Sequence, residues 1–335
     1  MKPAIFGLAA ETLTADERTF FREADPAGYI LFKRNIADRD QLRALTDALR
    51  GLAGREDLLI MIDQEGGRVA RMQPPVWPAF PSAEPFDRLY ARAPSSAIAA
   101  ARANARAIAA TLREVGINVD ALPLLDLRLE GQSDIIGDRS LGADPMQVAA
   151  LGRAVLDGLR AGGVVGLVKH MPGHGRAAVD SHLALPTVTA SEAELAADIA
   201  PFAALASAPM GMTAHIVYSA WDAERPASLS PIVIGDIIRG RIGFDGLLMS
   251  DDLDMKALSG DIGQLAADVV AAGCDIALNC WGRMADMVAI ADALPDIGEQ
   301  SRARLDRAMA TIAGGPDGTD MAAMIAKRDA LLALA

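Results

Sequence analysis

The chain has 335 residues, of which 51% are hydrophobic, and it carries a formal net charge of −12 at pH 7. This length and apolar content allow a large core, arranged either as two domains or as one α/β barrel. The negative charge argues against a nucleic-acid-binding protein, which needs basic patches, and favours a neutral or locally recognised small molecule as the partner.

The first apolar segment starts at Ala4 and is followed by Glu11 and Asp16. Only one lysine precedes it and the segment is short for a signal peptide, so we interpret it as a first β-strand. No run of about 18 apolar residues occurs in the sequence, and we expect neither a membrane span nor a membrane partner.

Eight short apolar runs recur along the chain, and their nearly continuous hydrophobicity is typical of parallel strands covered on both faces. Helix-like segments separate most of them. Eight alternating units predict an α/β fold, a single (β/α)8 TIM-type barrel over residues 1–335 without a second α/β domain. An open doubly wound sheet is the alternative, but no G-x-G-x-x-G follows the first run. The runs are AIFGLA from Ala4, GYILF from Gly28, LLIMID from Leu58, NVDALPLLD from Asn118, VVGLVKH from Val164, GMTAHIVY from Gly211, GLLMSDD from Gly246 and CDIALNC from Cys274.

The segments between the runs have recognisable helix ends. Asp38 is a candidate N-cap, and Gly116 follows the Ala-rich segment that begins at Ser95. Ser191 and Glu194 have the spacing of a capping box.

Polar side chains stand at or just past the ends of the apolar runs. In a TIM barrel this carboxyl-terminal face carries the active site, so these positions are the candidates for chemistry. They are Asn35, Asp63, Asp126, Lys169, His170, His215, Asp251 and Asn279.

Residues 168–186, VKHMPGHGRAAVDSHLALP, contain three of the four histidines of the chain. Asp180 and His182 are two apart, so in extended backbone they point the same way. A carboxylate on one ring nitrogen fixes the tautomer and leaves the other nitrogen free for proton transfer, although Asp-Ser-His is also a common turn sequence. His174, between glycines, is interpreted as shaping the loop.

Lys169 has three open interpretations: a Schiff-base nucleophile, a donor to substrate hydroxyls, or a cation that balances nearby carboxylates. Only one of Asp251 and Asp252 should face the barrel mouth, because consecutive strand residues point in opposite directions.

Two ion-pair assignments concern the arginines that follow the candidate strand ends. Glu65 is close in sequence to Arg68 and Arg71 and could pair with either. Arg139 has Asp138 beside it, and a salt bridge at the rim is the simple interpretation.

The sequence has no zinc-type spacing of histidines or cysteines and no phosphate-binding loop, and we expect neither a metal nor a cofactor. Scattered carboxylates leave a magnesium site open. Cys274 and Cys280 lie in one predicted strand, about 20 Å apart, and cannot form a disulfide. Two unpaired thiols are typical of a reducing cytoplasm.

Several motifs, in this order and at these separations, resemble family 3 glycoside hydrolases. Within that family they are similar to the bacterial β-N-acetylglucosaminidases (β-hexosaminidases) of peptidoglycan recycling. The resemblance extends from about Gly28 to Cys280. The motifs are IDQEGGRV, IIGDRSLGADP, KHMPGHG with the following DSH, PASLSP and GFDGLLMSDDL.

The resemblance implies a role for each matching residue. Asp251 matches the catalytic nucleophile, His182 the general acid/base and Asp180 its dyad partner. Met171 stands where Phe is usual and Gln64 where His is common, and we expect both to be tolerated changes in the wall of the site, with their effect on substrate fit left open. Five further residues match positions that hold the terminal sugar: Asp63, Arg71, Arg139, Lys169 and His170.

These assignments predict a retaining exo-β-N-acetylglucosaminidase that acts on GlcNAc-1,6-anhydroMurNAc and its peptides. Single-domain members resemble cytoplasmic enzymes, which agrees with the cysteines. The sequence leaves the oligomeric state and the aglycone preference open. Phosphorolysis on the same site, a Lys169 Schiff-base lyase and a sugar-binding protein without turnover are the alternatives.

Overall fold

The structure is a computed structural model that describes residues 1–129, 135–179, 181, 184–318 and 320–335. Within these residues eight parallel strands close into one barrel, in the order in which they occur along the chain. The first strand pairs with both the second and the eighth, so the barrel has no open edge. The predicted (β/α)8 TIM-type fold is therefore confirmed. The strands are β1 (Lys2–Gly7), β2 (Pro26–Leu31), β3 (Leu59–Ile62), β4 (Val119–Asp120), β5 (Val165–Met171), β6 (Met210–Thr213), β7 (Leu247–Asp252) and β8 (Ile276–Asn279).

Helices cover the outside of the barrel, and the predicted helix ends are confirmed. The Asp38 side chain accepts a hydrogen bond from the backbone of Gln41, and Ser191 and Glu194 form a reciprocal capping box. The segment Val233–Arg241, which lies between two of the apolar runs, is a π-helix rather than an α-helix. The α-helices are α1 (Ala15–Ala24), α2 (Arg39–Ala53), α3 (Glu84–Arg92), α4 (Pro94–Glu114), α5 (Pro145–Ala161), α6 (Glu192–Ala204), α7 (Ile262–Ala272), α8 (Met284–Ala293), α9 (Glu299–Ala310) and α10 (Met321–Leu332).

Two short pairs of strands lie outside the barrel. Gln64–Gly66 pairs with Val69–Ala70 as a hairpin after β3, and Thr187–Val188 pairs with Val217–Tyr218. Gly66 and Gly67 have φ of 101° and 56°, which only glycine adopts readily, so the predicted turn requires them.

The inside of the barrel is a separate apolar cluster, rich in methionine. Met61, Met210 and Met249 fill it, and Leu305 and Met309 of α9 pack against its amino-terminal end. Because these side chains close the amino-terminal end of the barrel, the carboxyl-terminal end is the open one, and the candidate residues lie there.

Cys274 and Cys280 flank β8, and both are buried free thiols. Among the described residues, no helix has the length and apolar character needed to cross a membrane.

Candidate active site

A cavity of about 250 Å³ opens at the carboxyl ends of the barrel strands. Six candidate residues from separate parts of the chain line it: Asp63, Arg71, Arg139, Lys169, His170 and Asp251. The other two, Asp180 and His182, lie outside the described residues.

A buried cluster of four charges forms one wall. The Lys169 ammonium lies 2.7 Å from Glu65 and 3.3 Å from Asp63, and its side chain is only 3% exposed. Arg139 donates two hydrogen bonds to Glu65, at 2.8 and 2.7 Å from Nε and Nη2. Asp63 also accepts from Arg71 at 2.9 Å. With Arg71 added to the four charges of the cluster, two carboxylates and three cations face a single small cavity.

The cluster fixes the charge of each member. Burial alone would raise the pKa of Asp63 and of Glu65, but the neighbouring cations outweigh it and hold both values below their ordinary range. Burial would likewise lower the pKa of Lys169, yet Glu65 and Asp63 raise it. A charged ammonium is a strong hydrogen-bond donor and a poor nucleophile. Of the three interpretations of Lys169, this environment disfavours the Schiff base.

The ion-pair partners expected from the sequence are wrong. Arg68 pairs with Asp138 at 3.0 Å, whereas Glu65 pairs with Arg139. Arg71 pairs with Asp63 instead, and the fold brings Arg139, 74 positions away in the sequence, to Glu65.

Gln64 and Met171, the two departures from the family pattern, are absent from the described lining of the cavity. The Gln64 amide binds backbone atoms of Arg71 and Met72, at 2.9 to 3.0 Å, and so holds the hairpin together. Met171 is fully buried in the core between strands and helices. The expectation that they form the wall is wrong.

Asp126 organises the histidines next to Lys169. Its carboxylate lies 2.7 Å from His170 Nδ1 and accepts from the backbone N–H of His174 at 2.6 Å. His174 Nε2 in turn lies 3.1 Å from the Ser181 hydroxyl. Burial, reinforced by His170, lowers the pKa of His174 to about 4, so this ring is neutral near pH 7. His174 thus anchors Ser181, which agrees with a loop-shaping role.

Asp251 and Asp252 diverge as predicted for neighbours in a strand. Asp251 lines the cavity, whereas Asp252 turns away and accepts from the backbone of Cys280 at 3.0 Å and of Asp254 at 3.3 Å. His215 Nε2 lies 3.0 Å from the Asp252 carbonyl, and its Nδ1 lies 2.7 Å from the Ser228 hydroxyl. The Asp252 carbonyl accepts, so Nε2 carries the proton and Ser228 donates to Nδ1. His215 and Ser228 together hold the carboxyl-terminal end of β7 in place.

From the sequence, Asp126 and His215 were candidates without an assigned role, Glu65 was only an ion-pair partner of Arg68 or Arg71, and Ser228 was not singled out. Two features of the sequence could have found Glu65 and Ser228. Glu65 is two residues from Asp63, so in extended backbone both side chains point the same way. Ser228 lies within the PASLSP motif.

Asp252→Asn is expected to remove a pH dependence of stability. Burial raises the pKa of Asp252 from 3.8 to about 7, against the hydrogen bonds from the Asp254 and Cys280 amides. Between these two values the folded protein binds more protons than the unfolded chain, so the wild-type free energy of unfolding falls as the pH rises. Urea unfolding from pH 4.5 to 8 should give Asp252→Asn a higher free energy of unfolding than wild type. This difference should grow up to about pH 7 and then stay constant. The exposed Asp40→Asn is the control. Parallel curves for wild type and Asp252→Asn would contradict the raised pKa.

This chain resembles known proteins in both sequence and structure. A sequence model of the N-terminal domain of glycosyl hydrolase family 3 matches residues 8–314. The Beta-hexosaminidase of Bordetella pertussis is 39% identical over 289 residues, 85% of this chain and 81% of that protein. Native NagZ from Neisseria gonorrhoeae superposes with a TM-score of 0.85 at 34% identity, covering 99% of this chain and 96% of that one. NagZ in complex with N-trifluoroacetyl-D-glucosamine gives 0.87 at 33% identity, over 99% and 98% of the two chains.

Proposed function

This chain belongs to glycosyl hydrolase family 3, and we propose that it removes terminal N-acetylglucosamine from peptidoglycan-derived muropeptides. It is a glycoside hydrolase of the β-N-acetylhexosaminidase type. The proposed substrates are GlcNAc-1,6-anhydroMurNAc and its peptides. The observation that carries the proposal is that Asp251 shares one cavity with the cluster of Asp63, Glu65, Lys169 and Arg139.

The proposed reaction has two steps. Asp251 attacks the anomeric carbon while His182 gives a proton to the leaving oxygen, which produces a covalent glycosyl-enzyme. His182, now neutral, takes a proton from water as that water attacks, and the sugar leaves with its configuration retained. Most retaining enzymes use a second carboxylic acid for this proton. An imidazole with an ordinary pKa of about 6.5 can transfer the proton both ways near neutral pH.

Sugar binding is assigned to the buried cluster. Lys169 and Arg139 are held as cations, so they can donate to hydroxyls and to the acetamide carbonyl of the sugar but cannot accept. Asp63, held as an anion, can only accept. The bound N-trifluoroacetyl-D-glucosamine of the Neisseria NagZ structure supports a site of this type for N-acetylglucosamine.

The proposal includes domain organisation and location. We propose that residues 1–335 act as one catalytic barrel, because β1 pairs with β8 and α10 packs on α4. A cytoplasmic location is supported by the two free thiols on either side of one strand.

Release of p-nitrophenol tests the activity. We expect the β-N-acetylglucosaminide to be cleaved faster than the β-glucoside in phosphate-free buffer. Turnover that rises steeply with phosphate and yields a sugar 1-phosphate would make the protein a phosphorylase on the same site. No release of p-nitrophenol from either substrate would overturn the proposal.

A further inference from the structure

Four side chains form a continuous stack from the cavity to the protein surface. The guanidinium carbon of Arg71, which pairs with Asp63 in the cavity, lies 5.2 Å from the Phe32 ring centre. The Arg34 guanidinium carbon lies 4.9 Å from that same ring and 5.8 Å from the ring of Trp281. All three distances are within the range of cation–π contacts. Ring and guanidinium therefore alternate outward from the sugar cavity, and we call Phe32, Arg34 and Trp281 the rim stack.

The outer member of the rim stack is solvent-exposed. Trp281 is 55% exposed, although tryptophan is among the residues that contribute most by burial. It directly follows Cys280, which lines the cavity. An indole face at the mouth of a sugar cavity is a flat apolar surface on which the next ring of a substrate can stack.

Arg34 is fixed in position by the backbone. Its Nε donates to the Leu8 carbonyl at 2.8 Å, and its Nη2 donates to the Cys280 carbonyl. Nη1 has no hydrogen-bond partner among the described residues. The planar guanidinium is thereby held with one nitrogen available to an anion, and Lys33 is exposed beside it in sequence. In a chain of net charge −12, Lys33 and Arg34 place two cations at this part of the rim, where Asp252 is a nearby carboxyl group that acts on Arg34.

We propose that Trp281 and Arg34 form the subsite for the aglycone and select a pyranose that carries a carboxylate. Trp281 stacks on the ring, and Arg34 binds the carboxylate. The inference rests on the proposed function and deepens it, because the lactyl group of peptide-free GlcNAc-1,6-anhydroMurNAc ends in such a carboxylate, whereas in its peptides that carboxyl group is an amide.

Three substrates separate the two roles. GlcNAc-1,6-anhydroMurNAc has an anionic pyranose as aglycone, N,N′-diacetylchitobiose a neutral one, and β-N-acetylglucosaminyl azide none. In Trp281→Ala we expect the ratio of kcat/KM for either disaccharide to kcat/KM for the azide to fall about tenfold, as for a lost stacking contact. In Arg34→Gln we expect the ratio of the anionic to the neutral disaccharide to fall roughly ten- to a hundredfold, as for a lost hydrogen bond to a charged group. Arg34→Lys should retain part of that preference and keeps the test valid if the glutamine variant does not fold.

The control is Val288→Ala, an exposed apolar residue on α8, which should leave all ratios unchanged. Unchanged ratios in Trp281→Ala, or an equal loss for both disaccharides in Arg34→Gln, would overturn the subsite while the proposed function stands. A wild-type enzyme that releases N-acetylglucosamine from none of the three would overturn both.

Discussion

Asp251→Ala is expected to lower kcat on p-nitrophenyl β-N-acetylglucosaminide by at least about 10⁴-fold, the scale on which nucleophile deletions act in covalent catalysis. The reason is that the covalent glycosyl-enzyme can no longer form, while the charged cluster that would hold the sugar is untouched. KM should therefore change much less than kcat. Purified protein, assayed against an Asp286→Ala control on the outer helix α8, provides the measurement.

Azide adds a stereochemical readout to the same variant. Alanine leaves space beside the anomeric carbon, so azide can attack from the face that Asp251 normally occupies. Partial rescue with an α-configured glycosyl azide as product would identify that face as the face of the nucleophile. Near-normal turnover without azide would contradict the assignment and indicate that the acetamido group of the substrate acts in its place.

The fold was predictable because its signal is local. Each barrel strand is a short apolar run, and all eight predicted runs form strands in chain order. The mouth was predictable for the same reason, since polar residues such as Asp63 and Lys169 end those runs. The π-helix at Val233–Arg241 was not predictable from apolar spacing, because such spacing does not distinguish between hydrogen-bonding patterns in helices.

The pairing of charges within the site was not predictable. Glu65 lies 74 positions from Arg139 in the sequence, and nothing local favours that partner over Arg68 or Arg71. The choice depends on the barrel, which brings the loop after β4 next to the hairpin after β3. The catalytic roles of Asp180 and His182 are inferred from their spacing and from the family resemblance. These roles remain a prediction.

Glu65→Gln is expected to cost the fold about 3–5 kcal/mol at pH 7, the usual effect of removing one partner from a buried ion pair. Glu65 accepts from both Lys169 and Arg139, and its side chain is only 5% exposed. Glutamine has similar shape but no charge, so Arg139 would lose its carboxylate partner and Lys169 would keep only Asp63, which also pairs with Arg71. Urea unfolding measures the loss, and Glu84→Gln, in an exposed pair with Arg88 on α3, is the matched control. That control should cost no more than about 0.5 kcal/mol.

The pH dependence and the kinetics of Glu65→Gln distinguish this explanation from general damage. Because the pKa of Glu65 is held below its ordinary value of 4.5, its contribution is present above that pH and is lost on acidification. The stability gap between wild type and Glu65→Gln should therefore narrow as the pH falls below about 4.5. Without Glu65, Lys169 and Arg139 are no longer held against the sugar, and a displacement of about 1 Å is enough to lower kcat/KM about a hundredfold. A constant stability gap down to acid pH, or normal kcat/KM in the folded variant, would show that Glu65 does not position these two cations.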